Sequence, residues 1–257
     1  MKILSDDSDE WWAEVGLSGG DVSAICRVGH LGDLHKVFER VYKVREEFGL
    51  VQGGEAWHAF RGKGIGSSEV GNLMRASTFS SPQSIYREKA GKKKANNGVT
   101  WGDNADTARG KNNEGRVRTL YQDLYGWHIY PACVVHDDIP WARASLDGLR
   151  DDHKHVGEIK CPRSENFAII KDMGQDAIDN DGKWAYWKLQ LAYQCWIVGA
   201  TSGHLIVYDA DGAGRISDRL VVLNYVPDKD LENAMYERLN EFWNEYVLKG
   251  ISPPRGW

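Results

Sequence analysis

The chain has 257 residues, of which 42% are hydrophobic and 11% aromatic, and its formal net charge is −5. This length suits one compact domain with an appended segment, and the composition is sufficient for a sizeable core. The acidic balance excludes a surface that is basic throughout, so any contact with nucleic acid has to be local.

An N-terminal extension that is partly helical is predicted over residues 1–50, followed by one domain over residues 51–257. Apolar residues recur at helical spacing between Leu31 and Phe48, and glycines at 49, 53 and 54 end this predicted helix. The opening residues turn acidic too soon for a signal peptide, and no apolar run reaches membrane-spanning length. We therefore expect a soluble, cytoplasmic protein. The extension suits an oligomer contact, a partner-docking arm or a DNA-guiding element.

Two helical segments follow. The string EAWHAFRGKGIGSSEVGNLM predicts a short helical piece, a glycine loop and a second helix capped by Ser67 or Ser68. Helical spacing then predicts a long helix over Ala105–Tyr125, with Glu114 on its buried face.

The second half of the chain alternates between strands and helices. Runs near residues 128–136, 142–148 and 155–160 predict a three-stranded meander, and the turn before the third strand places His153 and His155 in solvent. A helix is expected from Trp184 to Val198, strands at residues 204–208 and 220–225, and a closing helix from Asp230 to about Leu248. This order predicts an α/β fold with a mixed central sheet flanked by helices.

Cysteines and positive charges limit the chemistry. The four cysteines are far apart and form no Cys-x-x-Cys pair, which argues against a zinc ribbon or a disulfide framework. They are Cys26, Cys133, Cys161 and Cys195. Two groups of basic residues provide either a local nucleic-acid contact or a solvated surface. They are the run Arg87–Lys94 and the set Arg109, Lys111, Arg116 and Arg118.

The most informative residues are Asp147 in ASLDG and, eleven positions later, Glu158 in GEIKCP, with Lys160 beside it. Glu158 and Lys160 are separated by one residue on a predicted strand, so their side chains project from the same sheet face. The two carboxylates and the backbone carbonyl of Ile159 are ligands that Mg²⁺ prefers, and an amine can orient water or stabilise charge on a phosphate. The alternative is a structural salt bridge on a hairpin.

With their flanking residues, these positions resemble the YqaJ-like viral recombinase family. That family includes the lambda exonuclease and belongs to the PD-(D/E)XK superfamily. The resemblance spans about residues 55–200, and it includes the D-G turn, the E-I-K-C-P string and a helix with Gln190 and Gln194 four apart. It implies a restriction-endonuclease-like core with a metal-dependent active site, lined by Gln190.

The string WHAFRGKGIGSSEV resembles the early phosphate-binding motif of this family. The resemblance implies that Arg61, Ser67 and Ser68 bind the 5′-phosphate of a DNA end. Physical chemistry agrees, because a helix N-terminus with a hydroxyl and a guanidinium forms an anion site. Without the family, the same letters read as an ordinary helix cap.

The string RGKNNEGRVRTLY resembles another family segment and implies that Glu114 is a further active-site carboxylate that reaches the metal through water. The alternative is a buried glutamate paired with Arg116 or Lys160, since an unpaired buried charge is costly. Asp137, or its neighbour Asp138, falls near another acidic position of the family.

One residue departs from the family pattern. The usual proline before the catalytic aspartate is Leu146 here, which lowers the rigidity of the turn and removes no ligand.

The resemblance also implies a function. It implies a Mg²⁺-dependent exonuclease, with Mn²⁺ as a substitute, that degrades linear double-stranded DNA from 5′ to 3′ and leaves 3′ single strands for homologous recombination. Its partner would be a single-strand annealing protein, its assembly a ring-shaped homo-oligomer, and its location the host-cell cytoplasm if the chain is viral. No iron–sulfur cluster is expected, because no cysteine follows Cys195.

Several rival functions fit the same residues. The catalytic triplet is shared with endonucleases and with CRISPR-type end-trimming nucleases, and cleavage of closed circular DNA would favour these. A DNA-end-binding protein without turnover is a rival from another class, although all four residues of the predicted centre are present. A nuclease acting on RNA remains open, although no paired aromatic sheet motif for RNA is present.

Overall fold

A seven-stranded mixed sheet forms the centre of the computed structural model, which describes residues 44–47, 50, 52, 54–91, 105–180 and 182–257. The strands are β1 (Val44–Glu47), β2 (Ile65–Gly66), β3 (Ile129–His136), β4 (Ala142–Arg150), β5 (His155–Lys160), β6 (Ser202–Tyr208) and β7 (Leu220–Tyr225). Their order across the sheet is β1-β3-β4-β5-β6-β7, and β2 pairs with β4. The predicted mixed central sheet is thus confirmed.

Strand directions follow from the connections. Hairpins make β3, β4 and β5 antiparallel, and β1 and β7 are antiparallel to their neighbours. Strands β5 and β6 are parallel, because the chain between them crosses over through helices. The predicted three-stranded meander is therefore present, and it is extended by one parallel crossover.

Helices cover both faces of the sheet. They are α1 (Glu55–Gly62), α2 (Ser67–Leu73), α3 (Pro82–Lys89), α4 (Ala105–Tyr125), α5 (Ser164–Met173), α6 (Asp176–Asp179), α7 (Ala185–Val198) and α8 (Lys229–Glu241). Helix α8 continues as a π-helical turn over Phe242–Val247, and a short 3₁₀ turn lies at Ile216–Arg219.

Alternating sheet residues form two apolar layers. On one face, Leu191 of α7 packs in a cluster with Leu146 and Val156. On the other, Val117 and Tyr121 of α4 pack in a second cluster with sheet residues that include Ile159. The long helix predicted over Ala105–Tyr125 and the helix ending at Val198 therefore occupy opposite sides of the sheet.

The predicted helix over Leu31–Phe48 is wrong at its end. Residues 44–47 are strand β1 and pair with β3 from Val44↔His136 to Glu47↔Cys133. The hydrogen-bonding groups along the edge of β3 favour an extended partner there, which overrides the helical spacing. The rest of that predicted helix lies outside the described residues. The sheet thus includes residues before the predicted boundary at 51.

The second correction concerns the start of α2. Neither Ser67 nor Ser68 is the N-cap: Gly66 holds that position in extended backbone, and its N–H donates to Glu69 Oε2 at 2.7 Å. Both serines lie in the first helical turn, so their hydroxyls are available to other partners. Helices α3, α5 and α6 and strand β2 were not predicted, because each is short or lacks a clear apolar period.

A β-bulge in β4 is the most important local feature. Tyr130 pairs with Leu149 and Ala132 with Leu146, so Asp147 and Gly148 lie opposite the single residue Pro131. Proline has no N–H for the ladder, and bulges are common at such positions. A Cβ at position 148 would lie 2.5 Å from Ile129 Cδ1, so a larger residue than Gly148 would force the Ile129 side chain to shift.

His155 was expected in solvent and is instead fully buried in β5. Its Nδ1 lies 2.9 Å from Ser202 Oγ and its Nε2 lies 3.3 Å from the hydroxyl of Tyr121. Burial lowers the pKa of His155 to about 3, so the ring is neutral at neutral pH. Sequence spacing could not reveal this burial, because β6 and α4 approach the strand only in the folded sheet.

Candidate active site

The bulge directs Asp147 into a gap between two strands. Strands β4 and β5 pair only at Gly148↔Gly157 and Leu149↔Val156. Beyond that point the Asp147 carboxylate takes the place of the ladder, and its Oδ2 accepts the Ile159 N–H at 2.9 Å. Leu146, in the place of the family proline, is buried in the core and pairs with Ala132. The aspartate is thus held at the sheet without that proline.

Glu158 and Lys160 project from β5 toward α7, as their spacing predicts. Lys160 Nζ donates to Glu158 Oε1 at 2.6 Å. Gln190 of α7 completes this arrangement: its Nε2 donates to Glu158 Oε1 at 2.6 Å, and its Oε1 accepts from Lys160 Nζ at 3.0 Å. The side chain of Lys160 is 20% exposed and that of Glu158 3%. The amine is therefore fixed at the mouth of the site, and the carboxylate lies behind it.

Gln194 is a site residue that sequence reasoning left aside. It is fully buried, and its Nε2 donates to Glu158 Oε2 at 2.7 Å and to Ser67 Oγ at 3.2 Å. Its Oε1 has no partner among the described residues. The signal was present, since residues four apart on a helix share one face, and Gln190 had been selected.

Glu114 lies next to the site but has a different partner from those expected. Arg118 Nη2, one helical turn later, donates to Glu114 Oε1 at 2.6 Å, and Arg118 Nε donates to the Asp147 carbonyl oxygen at 2.7 Å. Arg118 thus ties α4 to the bulge and neutralises Glu114. The i, i+4 spacing favours this pair over Arg116, which lies 6.0 Å from the ring centre of Tyr208.

Proximity and burial perturb the carboxyl groups. Burial first, then the charges of Glu158 and Glu114, raise the pKa of Asp147 well above its usual range. Burial also raises the pKa of Glu114, and the neighbouring Glu158 adds to this while Arg118 opposes it. Three carboxyl groups therefore share a site with two cations, and a further positive charge would relieve their repulsion.

These residues fit a hard divalent cation. Carboxylate and carbonyl oxygens are the ligands that such ions prefer, and the charges of Glu158 and Glu114 add to burial in raising the pKa of Asp147. No group of three acidic, histidine or cysteine side chains within the described ranges is arranged as a complete metal cluster. The ligands would therefore combine the carboxylates of Asp147 and Glu158 with the Ile159 carbonyl and water.

An anion cradle lies beside this centre. Arg61, at the end of α1, donates from Nη2 to Ser68 Oγ at 2.7 Å, and its guanidinium lies 4.6 Å from the ring centre of Trp57. Ser67 faces the other way, toward Gln194. The predicted residues Arg61 and Ser68 therefore meet, and Ser67 connects them to the carboxylate centre.

Lys89 is a buried lysine that connects the two segments of the cradle. Its side chain is 1% exposed, its Nζ pairs with Glu69 Oε1 at 2.8 Å, and it donates to the Arg61 carbonyl oxygen at 3.0 Å. Within the predicted basic run Arg87–Lys94, this lysine is thus structural, and residues 92–94 lie outside the described residues. Arg109 is also structural, since its Nε donates to the Cys161 carbonyl oxygen at 3.0 Å.

Asp137 and Asp138 do not join the site. Both are exposed in the turn between β3 and β4. Asp147 lies five residues beyond Ala142, where β4 begins, so the strand places it about 16 Å further along. The acidic position that the family resemblance suggested therefore contributes no carboxylate to this centre.

The chain is similar to known proteins in its family pattern and in its fold. The family model for the YqaJ-like viral recombinase domain matches residues 56–201. No curated protein sequence matches the chain. Within the described residues, no helix combines the length and apolar character needed to cross a bilayer.

Solved structures share the fold. An alkaline exonuclease from Laribacter hongkongensis, LHK-Exo, is 20% identical with a TM-score of 0.60, and the match covers 75% of this chain and 92% of that one. Its complex with dAMP is similar at 21% identity, TM-score 0.60 and the same coverage. A phage-related exonuclease from Haemophilus somnus 129PT is 12% identical with a TM-score of 0.54, covering 73% of this chain and 96% of that one.

Proposed function

The chain belongs to the YqaJ-like viral recombinase domain family, and we propose that it is a divalent-metal-dependent exonuclease that degrades linear double-stranded DNA. The observation that carries the proposal is the convergence of Asp147, Glu158 and Lys160 beside the Arg61–Ser68 cradle. A metal-dependent exonuclease needs a metal site, a fixed cation at the phosphate and a means of holding the DNA end. The chemistry of these residues suits all three tasks.

The residues divide these tasks. When bound, a divalent cation such as Mg²⁺ or Mn²⁺ polarises the phosphate and supplies a hydroxide-like nucleophile at neutral pH. Asp147, Glu158 and the Ile159 carbonyl would hold it, with Glu114 reached through water. Lys160 donates to the scissile phosphate or its attacking water, and Gln190 keeps the amine in place.

Direction follows from the cradle. If Arg61 and Ser68 bind a terminal 5′-phosphate, the first phosphodiester of that strand would lie at the carboxylate centre. Successive cleavage would then run from 5′ to 3′ and leave a 3′ single strand. The structural neighbour solved with dAMP supports a site that accommodates a nucleotide.

The family also suggests a setting. A viral recombinase passes its single-stranded product to an annealing protein, in the host-cell cytoplasm. A ring-shaped homo-oligomer would combine the small positive surfaces of each subunit around DNA, despite the net charge of −5.

The direct test compares a linear duplex with 5′-phosphates and a covalently closed circle, each with Mg²⁺ or chelator. We expect loss of the linear DNA alone, and only with Mg²⁺. Lys160→Ala should lower the rate about 100-fold or more, because it removes one preorganised electrostatic donor.

Lys171→Ala is the matched control, since this exposed lysine on α5 lies outside the site, and it should retain the full rate. Cleavage of the closed circle would replace the proposal with an endonuclease. Survival of both DNAs in every condition would leave an end-binding protein without turnover.

Arg61→Gln tests the cradle. We expect the wild type to digest a 5′-phosphorylated duplex faster than a 5′-hydroxyl duplex by about 10-fold to 100-fold, since a hydrogen bond to a charged group contributes about 1.5 to 3 kcal/mol. The variant should lose this ratio and keep the rate on the hydroxyl end. Arg87→Gln, at an exposed arginine of α3, should keep the ratio. A phosphate preference that survives in Arg61→Gln would assign end recognition to other residues.

A further inference from the structure

A pocket of about 410 Å³ lies beside the segment that carries Arg61. This volume is within the range of small-ligand sites. Its lining includes Lys63, Arg143, Tyr236, Asn240, Trp243 and Asn244. None of these residues takes part in the metal centre or the phosphate cradle.

The pocket is built by two elements that meet at the edge of the sheet. After Lys63, the chain presses against the turn before β4: Ile65 N donates to the Trp141 carbonyl oxygen at 2.7 Å, and a Cβ on Gly64 would overlap that oxygen. The opposite wall is α8 and its π-helical turn, which carries Trp243 and Asn244. Turns of this kind are rare and occur often at functional sites.

The lining chemistry matches a nucleobase. Trp243 and Tyr236 contribute aromatic rings to the lining, and unpaired bases stack on such rings without regard to sequence. Asn244 Nδ2 donates to Asn240 Oδ1 at 2.7 Å. This bond leaves the Asn240 amide N–H groups and the Asn244 carbonyl oxygen to contact the edge of a base.

Charge at the rim matches the backbone of the same nucleotide. Lys63 is exposed, whereas Arg143 is buried: its Nε donates to the Pro140 carbonyl oxygen at 3.0 Å and its guanidinium lies 5.1 Å from the ring centre of Phe60. The lining also carries one carboxylate, Asp138. A phosphate is favoured beside the exposed Lys63, while Asp138 can accept a hydrogen bond from an exocyclic amino group.

Resting on the proposed function, we propose that this pocket binds an unpaired nucleotide of the strand that is not cut. Lys63 follows Arg61 by two residues, so their Cα atoms are at most about 7 Å apart. Contacts run from Glu158 through Gln194 to Ser67, then from Ser68 to Arg61, and the pocket comes next. The cut strand ends at the cradle, and only its complement continues past it.

The test measures DNA binding by fluorescence anisotropy in chelator, so that the DNA stays intact. A blunt 5′-phosphorylated duplex is compared with the same duplex carrying a five-nucleotide 3′ tail. Stacking contributes about 1 to 3 kcal/mol per base, so the tail should tighten binding about 5-fold or more in the wild type. Trp243→Ala should reduce this gain to less than about 2-fold and leave blunt-duplex binding unchanged.

Asn244→Asp repeats the test with almost no change in side-chain volume. It places a negative charge at the base edge, so it should also lose the gain in affinity that the tail provides. Phe79→Ala, at an aromatic ring that is 69% exposed outside the pocket, should keep it. The inference would be overturned if the tail did not tighten binding in the wild type, or if it tightened binding in both pocket variants as much as in the wild type. Digestion of the blunt duplex would still uphold the proposed function in either case. A wild type that neither binds nor digests the blunt duplex would overturn both.

Discussion

Asparagine in place of Asp147 is expected to lower the rate of DNA cleavage about 1000-fold or more and, in chelator, to raise the stability of the protein. The loss of rate follows because a metal contributes several kcal/mol to the transition state, and each 1.36 kcal/mol is about tenfold. The gain in stability follows because burial and the charges of Glu158 and Glu114 hold the pKa of Asp147 well above its usual range. Asparagine can still accept the Ile159 N–H and carries no charge.

The stability effect should depend on pH with a definite sign. A carboxyl group whose folded pKa is raised binds more protons in the folded state than in the unfolded state, so its stability contribution falls as pH rises through that interval. Asp147 therefore destabilises the fold most at a pH above its raised pKa. Below its ordinary pKa it has no effect on stability, because it is protonated in both states. The advantage of Asp147→Asn should be largest at alkaline pH and vanish at acidic pH.

Thermal unfolding in chelator and in Mg²⁺ measures this effect. Mg²⁺ should raise the melting temperature of the wild type and leave that of Asp147→Asn almost unchanged, since ligands stabilise only a state that binds them. Asp151→Asn, at an exposed aspartate beside His128, should behave as wild type. A variant that is less stable than wild type in chelator at alkaline pH would show that Asp147 is not under repulsion.

Local sequence patterns were sufficient for the elements that build the site. Residues at strand spacing placed Glu158 and Lys160 on one face, and the family resemblance pointed to Gln190 on the following helix, which contacts both in the structure. Such patterns work because the periods of strands and helices are set by the backbone. The mixed sheet followed from the order of those elements.

Sequence could not predict the features that depend on contacts between distant segments. The bulge at Asp147 lies opposite Pro131 on the neighbouring strand, which has no N–H to offer the ladder. Strand β1 forms because the edge of β3 offers backbone partners. The spacing of apolar residues within β1 carries no information about that distant edge. Arg118 and Gln194 had the right spacing, but only the fold brings them to Asp147 and Glu158.

Glutamine in place of Glu158 should also lower the cleavage rate about 1000-fold or more, again through loss of a metal ligand. Its effect on stability should have the opposite sign to that of Asp147→Asn. Glu158 accepts from Lys160, Gln190 and Gln194, whereas Asp147 accepts from one backbone N–H. Removing one partner of a buried pair costs about 3 kcal/mol, because the remaining charge is left without compensation.

The charge left behind is that of Lys160. Burial lowers its pKa, and the charges of Glu158 and Asp147 outweigh this, so the pKa of Lys160 lies above its usual value. Stability from a raised lysine pKa is present at neutral pH and is lost as pH rises through the folded pKa. The destabilisation in Glu158→Gln should therefore be full at neutral pH and smaller under strongly alkaline conditions.

Denaturant unfolding in chelator at neutral pH separates the two variants. Glu165→Gln, at an exposed glutamate of α5, controls for the substitution itself and should leave stability unchanged. If Asp147→Asn and Glu158→Gln shift stability in the same direction, the surroundings do not compensate the charge of Glu158 better than that of Asp147. Opposite shifts with equal loss of cleavage would mean that Asp147 is kept for the metal alone, while Glu158 also holds Lys160 in place.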